Sequence, residues 1–477
     1  MPCFFSRFIS TTLQLESSIM KDDKPPVLSM HPIIQIRNRL QRCNIIQYYQ
    51  KVIGIRRTRM KANTLPGSAL QNLIALMCSV FILGGCSSAP LLDIVEQTGK
   101  TTTSITALPP SQTTFGLYDI STFDVYVDSD VIHIIAGGKP NAGAKQTGLS
   151  YARSEDGGRH WINPIVLANF PATINNRIND VQLAAKGQHL LTVWQTKGEL
   201  PGMGPLVSAY SENDGLSWKQ GTNPALNNTA DQSHTDLIAD QNGYFHAVWL
   251  EDPEENGYQS LRYAHSVNYG KHWSKAETLD NSTCSCCWNT FALSPENKLN
   301  ILYRDMKPRD MALQQSFDGG NSWQRTSTVG EFNWQFDGCP HVGGSLAYSQ
   351  SSTSTQLHSL VWTGVEQKAG LYYLSSENNG ISWSSPKQIG KTASHGDIAS
   401  FDGIVMAIWD EMEADGTSIF YATSEDGGLT WLTAKRLTAA TAVATHPRIV
   451  ATKQGFLALW TEKPNKQTSH LAWQIIE

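Results

Sequence analysis

The sequence predicts an all-β fold, a β-propeller of seven four-stranded blades, from a repeated motif and a strand pattern that precedes it. The motif reads Ser-x-Asp/Asn-x-Gly-x-x-Trp, and successive copies start between 48 and 60 residues apart. A period in this range is typical of propellers and repeat arrays. The six copies start at Ser154, Ser211, Ser266, Ser316, Ser376 and Ser424.

Each residue type of the motif suits a tight turn between two strands. An Asp or Asn side chain bonds backbone amides, a glycine takes a positive φ, and a tryptophan packs between neighbouring sheets. We therefore expect the Asp or Asn of every copy to be structural. These residues are Asp156, Asn213, Asn268, Asp318, Asn378 and Asp426.

Apolar strand-like runs precede the motifs and set the number of blades. Five of them end in an aromatic residue: Leu191–Trp194, His246–Trp249, Ile301–Tyr303, Leu360–Trp362 and Ala407–Trp409. Ile132–Ile135 precedes the first motif, and Phe456–Trp460 has no motif after it. Six units with a motif and one without it predict seven blades.

The seventh unit supplies three strands, near 447–452, 455–461 and 468–475. The segment near 113–118 would supply the fourth, so that pairing of N-terminal and C-terminal strands closes the ring and leaves only short sheet edges. Six blades are the alternative, if the first or the last unit is irregular.

The N-terminal part of the chain has a different character. Residues 1–59 carry no motif, and Met60 begins a second start in which Met60-Lys61 precedes an apolar run from Leu73 to Leu83. This pattern indicates an export signal, and the run is short for a membrane span. We interpret residues 1–59 as an over-extended gene start and 60–85 as a signal peptide.

The end of this run, Leu83-Gly84-Gly85-Cys86, resembles the bacterial lipoprotein signal. The resemblance implies cleavage before Cys86, lipidation of that residue and attachment to a membrane of the bacterial cell envelope. Ser87 after the cysteine implies the outer membrane. The alternative is an uncleaved signal anchor. Residues 86–114, rich in Ser, Thr and Pro, would form a tether, and 115–477 the propeller.

The charge balance excludes one class of partner. The formal net charge is -5, without the basic footprint of a nucleic-acid-binding protein.

The repeated motif resembles the Asp box, or BNR repeat, of the sialidase superfamily over roughly residues 115–477. The resemblance implies a propeller and, as one possible activity, exo-acting glycoside hydrolysis of the exo-α-sialidase type. Sialidases use an arginine triad, an Asp acid and a Tyr nucleophile assisted by Glu. Asp boxes also occur in sorting receptors and photosystem assembly factors, which cleave nothing.

The catalytic pattern of the family is incomplete in this chain. The first arginine of the triad belongs to an Arg-Ile-Pro motif ahead of the first box, whereas this chain has no arginine from residue 113 until Arg153. A rearranged cluster is the alternative source of a sialidase site. Its candidate residues are Arg177, Arg304, Arg309 and Arg448, with Asp236 and Asp397 as candidate carboxylates.

Unrepeated residues are expected at the face opposite the boxes. The boxes lie between the third and fourth strands of each blade, and the blade-to-blade connections lie on the other face. Two of these connections carry Cys284-Ser285-Cys286-Cys287 and Cys339-Pro340-His341, and a third loop, Arg304–Asp310, shares their face. We predict a ligand-binding mouth there.

Three interpretations of the cysteines remain open. Two disulfides are one, and four cysteines allow three pairings. A copper or zinc site is the second, because thiolate and imidazole ligands suit Cu(I) and Zn. A redox-active pair is the third, although Cys-x-Cys-Cys is not the thioredoxin spacing. The candidate ligands are Cys284, Cys286, Cys287, Cys339 and His341.

Histidines recur where the inner strands of the blades begin. His234, His341, His395 and His446 share this position, with Asp180, Asp236 and Asp397 nearby. They predict a His/Asp-lined channel that binds a ligand or a metal. The alternative is that each side chain hydrogen-bonds a neighbouring blade, as buried polar groups must.

Two functions follow. The first is a lipid-anchored envelope propeller that binds a small ligand, a glycan, a metal or an envelope protein at the mouth without hydrolysis. The second is the exo-sialidase.

Overall fold

The computed structural model describes residues 114–162, 164–173, 181–198, 204–253, 258–350, 355–463 and 468–476. The predicted gene start, signal peptide, Cys86 and tether lie outside these residues, as do Arg177 and Asp180. The described part of the chain is all-β and contains no helix. It follows that none of these residues forms a helix capable of crossing a membrane.

The strands fall into consecutive groups along the chain. The first three groups are β1 (Asp119–Asp128), β2 (Val131–Lys139), β3 (Gly148–Ser154) and β4 (Ile165–Leu167); β5 (Val181–Lys186), β6 (His189–Gln195), β7 (Leu206–Ser211) and β8 (Lys219–Gln220); and β9 (Gln232–Ala239), β10 (Phe245–Glu251), β11 (Gln259–Ser266) and β12 (Glu277–Thr283).

The later groups follow the same order. They are β13 (Thr290–Leu293), β14 (Leu299–Arg304), β15 (Met311–Ser316) and β16 (Gln324–Val329); β17 (Ser345–Gln350), β18 (Thr355–Thr363), β19 (Gly370–Ser376) and β20 (Lys387–Gly390); β21 (Ala393–Phe401), β22 (Ile404–Met412), β23 (Thr417–Ser424) and β24 (Lys435–Arg436); and β25 (Val443–Thr452), β26 (Gly455–Lys463) and β27 (His470–Ile476).

Within each group, strands adjacent in the chain pair antiparallel. The last group has three strands and joins the preceding sheet through one parallel pair, Thr417 with Val443. The first strand of every group contacts the first strand of the next, from β1 through β5, β9, β13, β17 and β21 to β25, and β25 contacts β1. This arrangement is that of a β-propeller with the first strands innermost.

The predicted pairing of the segment near 113–118 with the last group is not seen in the described residues. Residues 114–118 form turns, because Phe115 and Gly116 have φ values of 47° and 78°, which are incompatible with an extended strand. Phe115 instead packs in one apolar cluster with Leu457 and Leu471. One backbone hydrogen bond, from Ile120 to the Ser469 carbonyl (2.9 Å), joins the two ends of the propeller.

The repeated motif forms the same turn at all six positions. At the last copy, the Ser424 hydroxyl donates to Asp426 Oδ1 (2.8 Å) and accepts from the Gly428 amide (2.7 Å). Asp426 Oδ1 also accepts from the Thr430 amide (2.7 Å). Equivalent bonds recur at the other five copies, whose Asp or Asn residues thus hold a turn rather than face a ligand.

Alternate groups use a buried His–Tyr pair to pack against the turn of the next group. His358 Nδ1 lies 2.8 Å from the Tyr373 hydroxyl, and the Tyr373 ring packs on Trp431 of the following motif. Gly428 approaches the same ring so closely that an added Cβ would lie 1.7 Å from the hydroxyl oxygen. The equivalent pairs are His133–Tyr151 and His246–Tyr263.

Candidate functional site

The cysteine-rich connection between β12 and β13 is fixed to the end of β14. The Cys284 amide donates to the Arg304 carbonyl (2.9 Å), and Thr283 forms an isolated bridge with Asp305. These bonds bring the connection beside the loop that follows β14, at the end of the blades opposite the motif turns. The three loops predicted to share one face therefore do so.

Arg304 holds the loops of the mouth together. Its side chain is 2% exposed. Its three guanidinium nitrogens donate to backbone carbonyls of Val342 (3.1 Å), Arg309 (2.6 Å) and Trp362 (2.9 Å). Three of its donors therefore already have protein acceptors, and a role for Arg304 in substrate binding stays a prediction.

Arg309 has a similar role in the connection between β16 and β17. It is 6% exposed, and its Nε donates to the Phe336 carbonyl (2.6 Å). Asp310 supports the same connection by accepting from the amides of Asn333 (2.7 Å) and Trp334 (3.2 Å). Together these residues position the segment that carries Cys339 and His341, and a role for Arg309 in ligand binding stays a prediction.

The four cysteines and one histidine predicted as ligands come together at this point. The ligand atoms of Cys284, Cys286 and Cys287 lie within 4.8 Å of one another, and so do those of Cys286, Cys339 and His341. The first three cysteines are buried, whereas Cys339 and His341 are exposed. The cluster therefore has a buried side and a solvent-facing side that share Cys286.

The thiols strongly affect one another's ionisation. Hydrogen bonds from the Cys286 and Cys287 thiols, with Arg304 nearby, lower the pKa of Cys284. The same proximity raises the pKa of Cys286, and burial raises that of Cys287. A hydrogen bond with Cys286 lowers the pKa of Cys339. The arrangement therefore favours thiolate at Cys284 and Cys339 while the thiols between them keep their protons.

Neither sulfur distance is that of a formed disulfide, and one of the two matches a metal site. Cys284 Sγ is 3.8 Å from Cys286 Sγ and 3.0 Å from Cys287 Sγ. A disulfide bond is about 2.05 Å long. Two thiolates on one tetrahedral ion, with bonds of about 2.3 Å, lie roughly 3.8 Å apart. The first distance matches the ion, and the second lies between the two cases.

A second polar cluster lines a cavity at the centre of the propeller, formed mainly by the inner strands. The cavity volume is about 70 Å³, which is well below the ~300 Å³ of the smallest typical small-molecule pockets. Its lining residues include Asp236, Trp288, His395, His446 and Arg448. A few water molecules or one hydrated ion fit this space.

The inner-strand carboxylates bind backbone amides of the next group. Asp236 Oδ2 accepts from the Phe291 amide (2.6 Å) and Asp397 Oδ2 from the Ile449 amide (2.9 Å). Asp124, which the sequence interpretation missed, accepts from the Leu183 amide in the same way (2.8 Å). Asp236 and Asp397 therefore join neighbouring groups, and a catalytic role for them stays a prediction. The sequence marks Asp124 only by its place on an inner strand, which it shares with Asp236 and Asp397.

Arg448 is the arginine at the centre of this cavity. Its Nε lies 3.3 Å from Asp397 Oδ2, and its Nη2 lies 3.4 Å from Asp124 Oδ1. Burial opposes its charge, but these carboxylates raise its pKa. Burial, together with Asp124, raises the pKa of Asp236 to about 7. Arg448 is thus already paired with carboxylates of the protein.

His395 and His446 form a stacked pair beside Asp410. Their ring centroids are 3.6 Å apart, and His395 Nδ1 lies 2.8 Å from Asp410 Oδ2. Burial opposes ionisation of Asp410, but the two histidines lower its pKa to about 2. Burial, with His395 alongside, lowers the pKa of His446 to about 3. The sequence interpretation found both histidines but missed Asp410, which follows the aromatic end of a predicted strand.

Trp288 lies between this pair and His234. Its ring centroid is 6.4 Å from that of His446 and 5.0 Å from that of His234, both in edge-on geometry. His234 Nδ1 lies 2.8 Å from the Ser233 hydroxyl. Because Trp288 directly follows Cys287, the connection that carries the thiols continues directly into the lining of the central cavity.

No family model and no curated protein sequence matches the chain. Among solved structures, it is similar to a Trypanosoma rangeli sialidase in complex with the inhibitor DANA, with 14% identity and a TM-score of 0.44 over 64% of this chain and 55% of that one. It is also similar to the Hadza microbial sialidase Hz136, with 12% identity and a TM-score of 0.41 over 62% of this chain and 64% of that one. A third is a protein of unknown function from Dyadobacter fermentans, with 12% identity and a TM-score of 0.44 over 62% of this chain and 93% of that one.

The chain spans about half the length of the Trypanosoma rangeli sialidase that it matches. Identities and TM-scores of this size carry no argument about chemistry, so no residue role is taken from these proteins. The chain's own strand order and inner-strand contacts support the propeller, and its chemistry rests on the residues described above.

Proposed function

We propose that this propeller binds a soft metal ion, Cu(I) or Zn(II), at its mouth, and that it acts by binding rather than by hydrolysis. The observation that supports this proposal most is the convergence of Cys284, Cys286 and Cys287 with Cys339 and His341. Two connections separated by a whole strand group contribute these ligands. Thiolate and imidazole groups are the ligands that Cu(I) and Zn(II) prefer.

The exposure of the cluster suits the capture of an ion from solvent. Cys339 and His341 face solvent and offer a first point of contact, while Cys284 and Cys287 are buried behind Cys286. Arg304 and Arg309 fix the two connections from below. A site whose ligands are held before binding loses less entropy when the ion arrives.

The remaining features of the proposal concern the form of the whole protein. We propose a closed ring of seven blades, supported by the contacts that run from β1 through each first strand to β25 and back to β1. We also propose export and lipid anchoring through Cys86 in the outer membrane of a bacterial envelope. That part rests on the signal-like sequence alone.

The arginines and the cavity argue against sialoside hydrolysis. Arg304 donates to three carbonyls, and Arg448 lies between Asp124 and Asp397. A substrate carboxylate would have to displace these partners. The cavity of about 70 Å³ is also too small for a sugar ring with its substituents.

Metal titration of the full chain, purified anaerobically with reduced thiols, tests the proposal. Cu(I) is titrated against a chromogenic chelator and Zn(II) by calorimetry. We expect stoichiometric binding that weakens at least a hundredfold in Cys286→Ser, because that sulfur belongs to both ligand sets. Ser285→Ala, in the same connection but without a soft ligand, is the matched control.

Two outcomes would overturn the proposal. Protein isolated from an oxidising compartment with no free thiols and no bound metal would support the disulfide interpretation instead. Turnover of a fluorogenic sialoside that Arg448→Ala abolishes would support the exo-sialidase.

A further inference from the structure

The central cavity contains a group of polar atoms that the thiol cluster does not use. His395 and His446 lie on neighbouring inner strands, β21 and β25, and Asp410 lies on β22. Ligand atoms of these three residues lie within 4.8 Å of one another. The two histidine side chains line the cavity together with Trp288 and Asn289.

Irregular backbone places both histidines in this position. The register of β21 with β22 shifts between Ala393 and Gly396, and that of β25 with β26 shifts between Thr445 and Arg448. His395 and His446 lie within these bulges. His446 also has a φ of 52°, which is uncommon for a residue other than glycine. Bulges that re-aim side chains and left-handed residues are both over-represented at functional sites.

Asp410 fixes the tautomer of His395. Its carboxylate accepts from His395 Nδ1 (2.8 Å), from the His395 amide (3.0 Å) and from the His446 amide (2.9 Å). With its proton on Nδ1, neutral His395 carries a lone pair on Nε2. A carboxylate behind a histidine is the usual support of a metal-binding imidazole.

Three buried polar atoms around the cavity have no hydrogen-bond partner among the described residues. They are His446 Nδ1, Asn289 Oδ1 and Trp288 Nε1; a fourth atom without a hydrogen bond, Arg448 Nε, has an ion-pair partner in Asp397. Asn289 is 4% exposed, and its other amide atom, Nδ2, donates to the His234 carbonyl (2.9 Å). Buried polar atoms are almost always paired, so three such atoms at one cavity indicate a bound ion, water or ligand.

The charges around the cavity decide between a cation and an anion. Asp397 lines the cavity, and Asp410 contacts His395, which also lines it. The positive charge of Arg448 is shared between Asp124 and Asp397. A bound anion would be repelled by these carboxylates, whereas a cation would be stabilised.

We propose that His395 and His446, supported by Asp410, bind a divalent ion such as Zn²⁺ at the centre of the propeller, at a second site separate from the thiol cluster. Imidazole nitrogen is a preferred ligand of borderline divalent ions. Water bound to the ion would donate to Asn289 Oδ1 and accept from Trp288 Nε1, which gives both atoms a partner.

Titration of the full chain with Co²⁺, a spectroscopic probe for zinc sites, separates the two sites. Thiolate-bound Co²⁺ gives an intense sulfur-to-metal charge-transfer band, whereas Co²⁺ bound by nitrogen and oxygen gives only weaker visible bands. We expect His395→Ala and His446→Asn to weaken the second class at least tenfold and to leave the charge-transfer band in place. Asn is chosen at 446 because it tolerates a positive φ.

Further variants act as controls. Asp410→Asn should weaken the nitrogen/oxygen class roughly 10–100-fold, the range for residues that support a ligand. Cys286→Ser should remove only the charge-transfer band, and the exposed His272→Asn should change neither class.

The outcomes distinguish this proposal from the proposed function. An unchanged nitrogen/oxygen class in both His395→Ala and His446→Asn overturns the central site, as does the absence of that class in the wild type. Absence of the charge-transfer band from the wild type overturns the thiol site and leaves the central one standing. Circular dichroism checks each fold, and if His446→Asn unfolds, His395→Ala decides.

Discussion

Acidification should destabilise the propeller through two of its tyrosine-paired histidines, His358 and His133. His358 is 0% exposed, and burial lowers its pKa to about 4. In an unfolded chain the pKa of histidine is about 6.5. Because the folded value is the lower one, the unfolded chain binds the proton more tightly, and stability is lost as pH falls from about 6.5 to about 4. His133, paired with Tyr151, has the same shift for the same reason.

The size of the effect follows from the two pKa values. At a pH of about 5, proton linkage between pKa values of about 6.5 and about 4 gives a loss of about 2 kcal/mol for His358. A folded pKa one unit higher would still give about 1.6 kcal/mol. Asp236 titrates in the opposite sense, since its raised pKa favours the folded state at lower pH. The effect of His358 must therefore be read from the difference between two variants.

Urea denaturation of the wild type and His358→Asn, at pH values of about 7.5 and about 5, measures that difference. The cost of the substitution should be about 2 kcal/mol smaller at the lower pH, because the variant has no ring to protonate. His272→Asn, at an exposed position, is the control for the substitution itself. An equal cost of His358→Asn at both pH values would refute the conclusion that this histidine is held neutral by the fold.

Three further predictions concern the packing between groups and the mouth. Gly428→Ala should cost about 1–3 kcal/mol more unfolding free energy than Gly403→Ala, because both glycines have a positive φ but only the first has a tyrosine hydroxyl in the space of the new Cβ. Arg304→Met should cost roughly 3–5 kcal/mol and weaken metal binding at the thiols, whereas Arg436→Met removes a part-exposed ion pair with Glu413 and a cation–π contact with Phe420 and should cost at most about 2 kcal/mol. Asp236→Asn should destabilise the protein more near pH 5 than near pH 8, the reverse of the trend for histidine, and urea denaturation at the two pH values checks it.

The strand pattern could be predicted from sequence because the repeat marks it directly. The runs that end at Trp194, Trp249 and Trp409 lie on β6, β10 and β22, and every motif follows the third strand of its group. The turn at Phe115 and Gly116 could not be predicted, since an aromatic residue with a positive φ has no local signal. The described residues therefore lack the expected terminal strand, because the Phe115 side chain packs against the last group while the backbone there forms a turn.

The residues of the mouth could be found, but their roles could not. That Cys286 and Cys339 meet follows from the order of the strands, because neighbouring connections share one face. Arg304 donates to three backbone carbonyl groups. Because every residue has a backbone carbonyl, the sequence does not show which residues will accept these bonds. Asp410 was missed for a related reason, since two of its donors are the amides of His395 and His446.

The difference between the structural residues of the inner strands and the candidate ligands follows from how the propeller is held together. On the inner strands, repeated positions such as Asp124, Asp236 and Asp397 bind the backbone of the next group. Because each of these carboxylates has a structural partner, binding a ligand with it would weaken the contact between groups. The unrepeated thiols lie in the connections, outside these strands, whereas the histidine pair lies in bulges within two of them, β21 and β25. Chemistry should therefore change when the connections change, while the ring of inner strands keeps its stability.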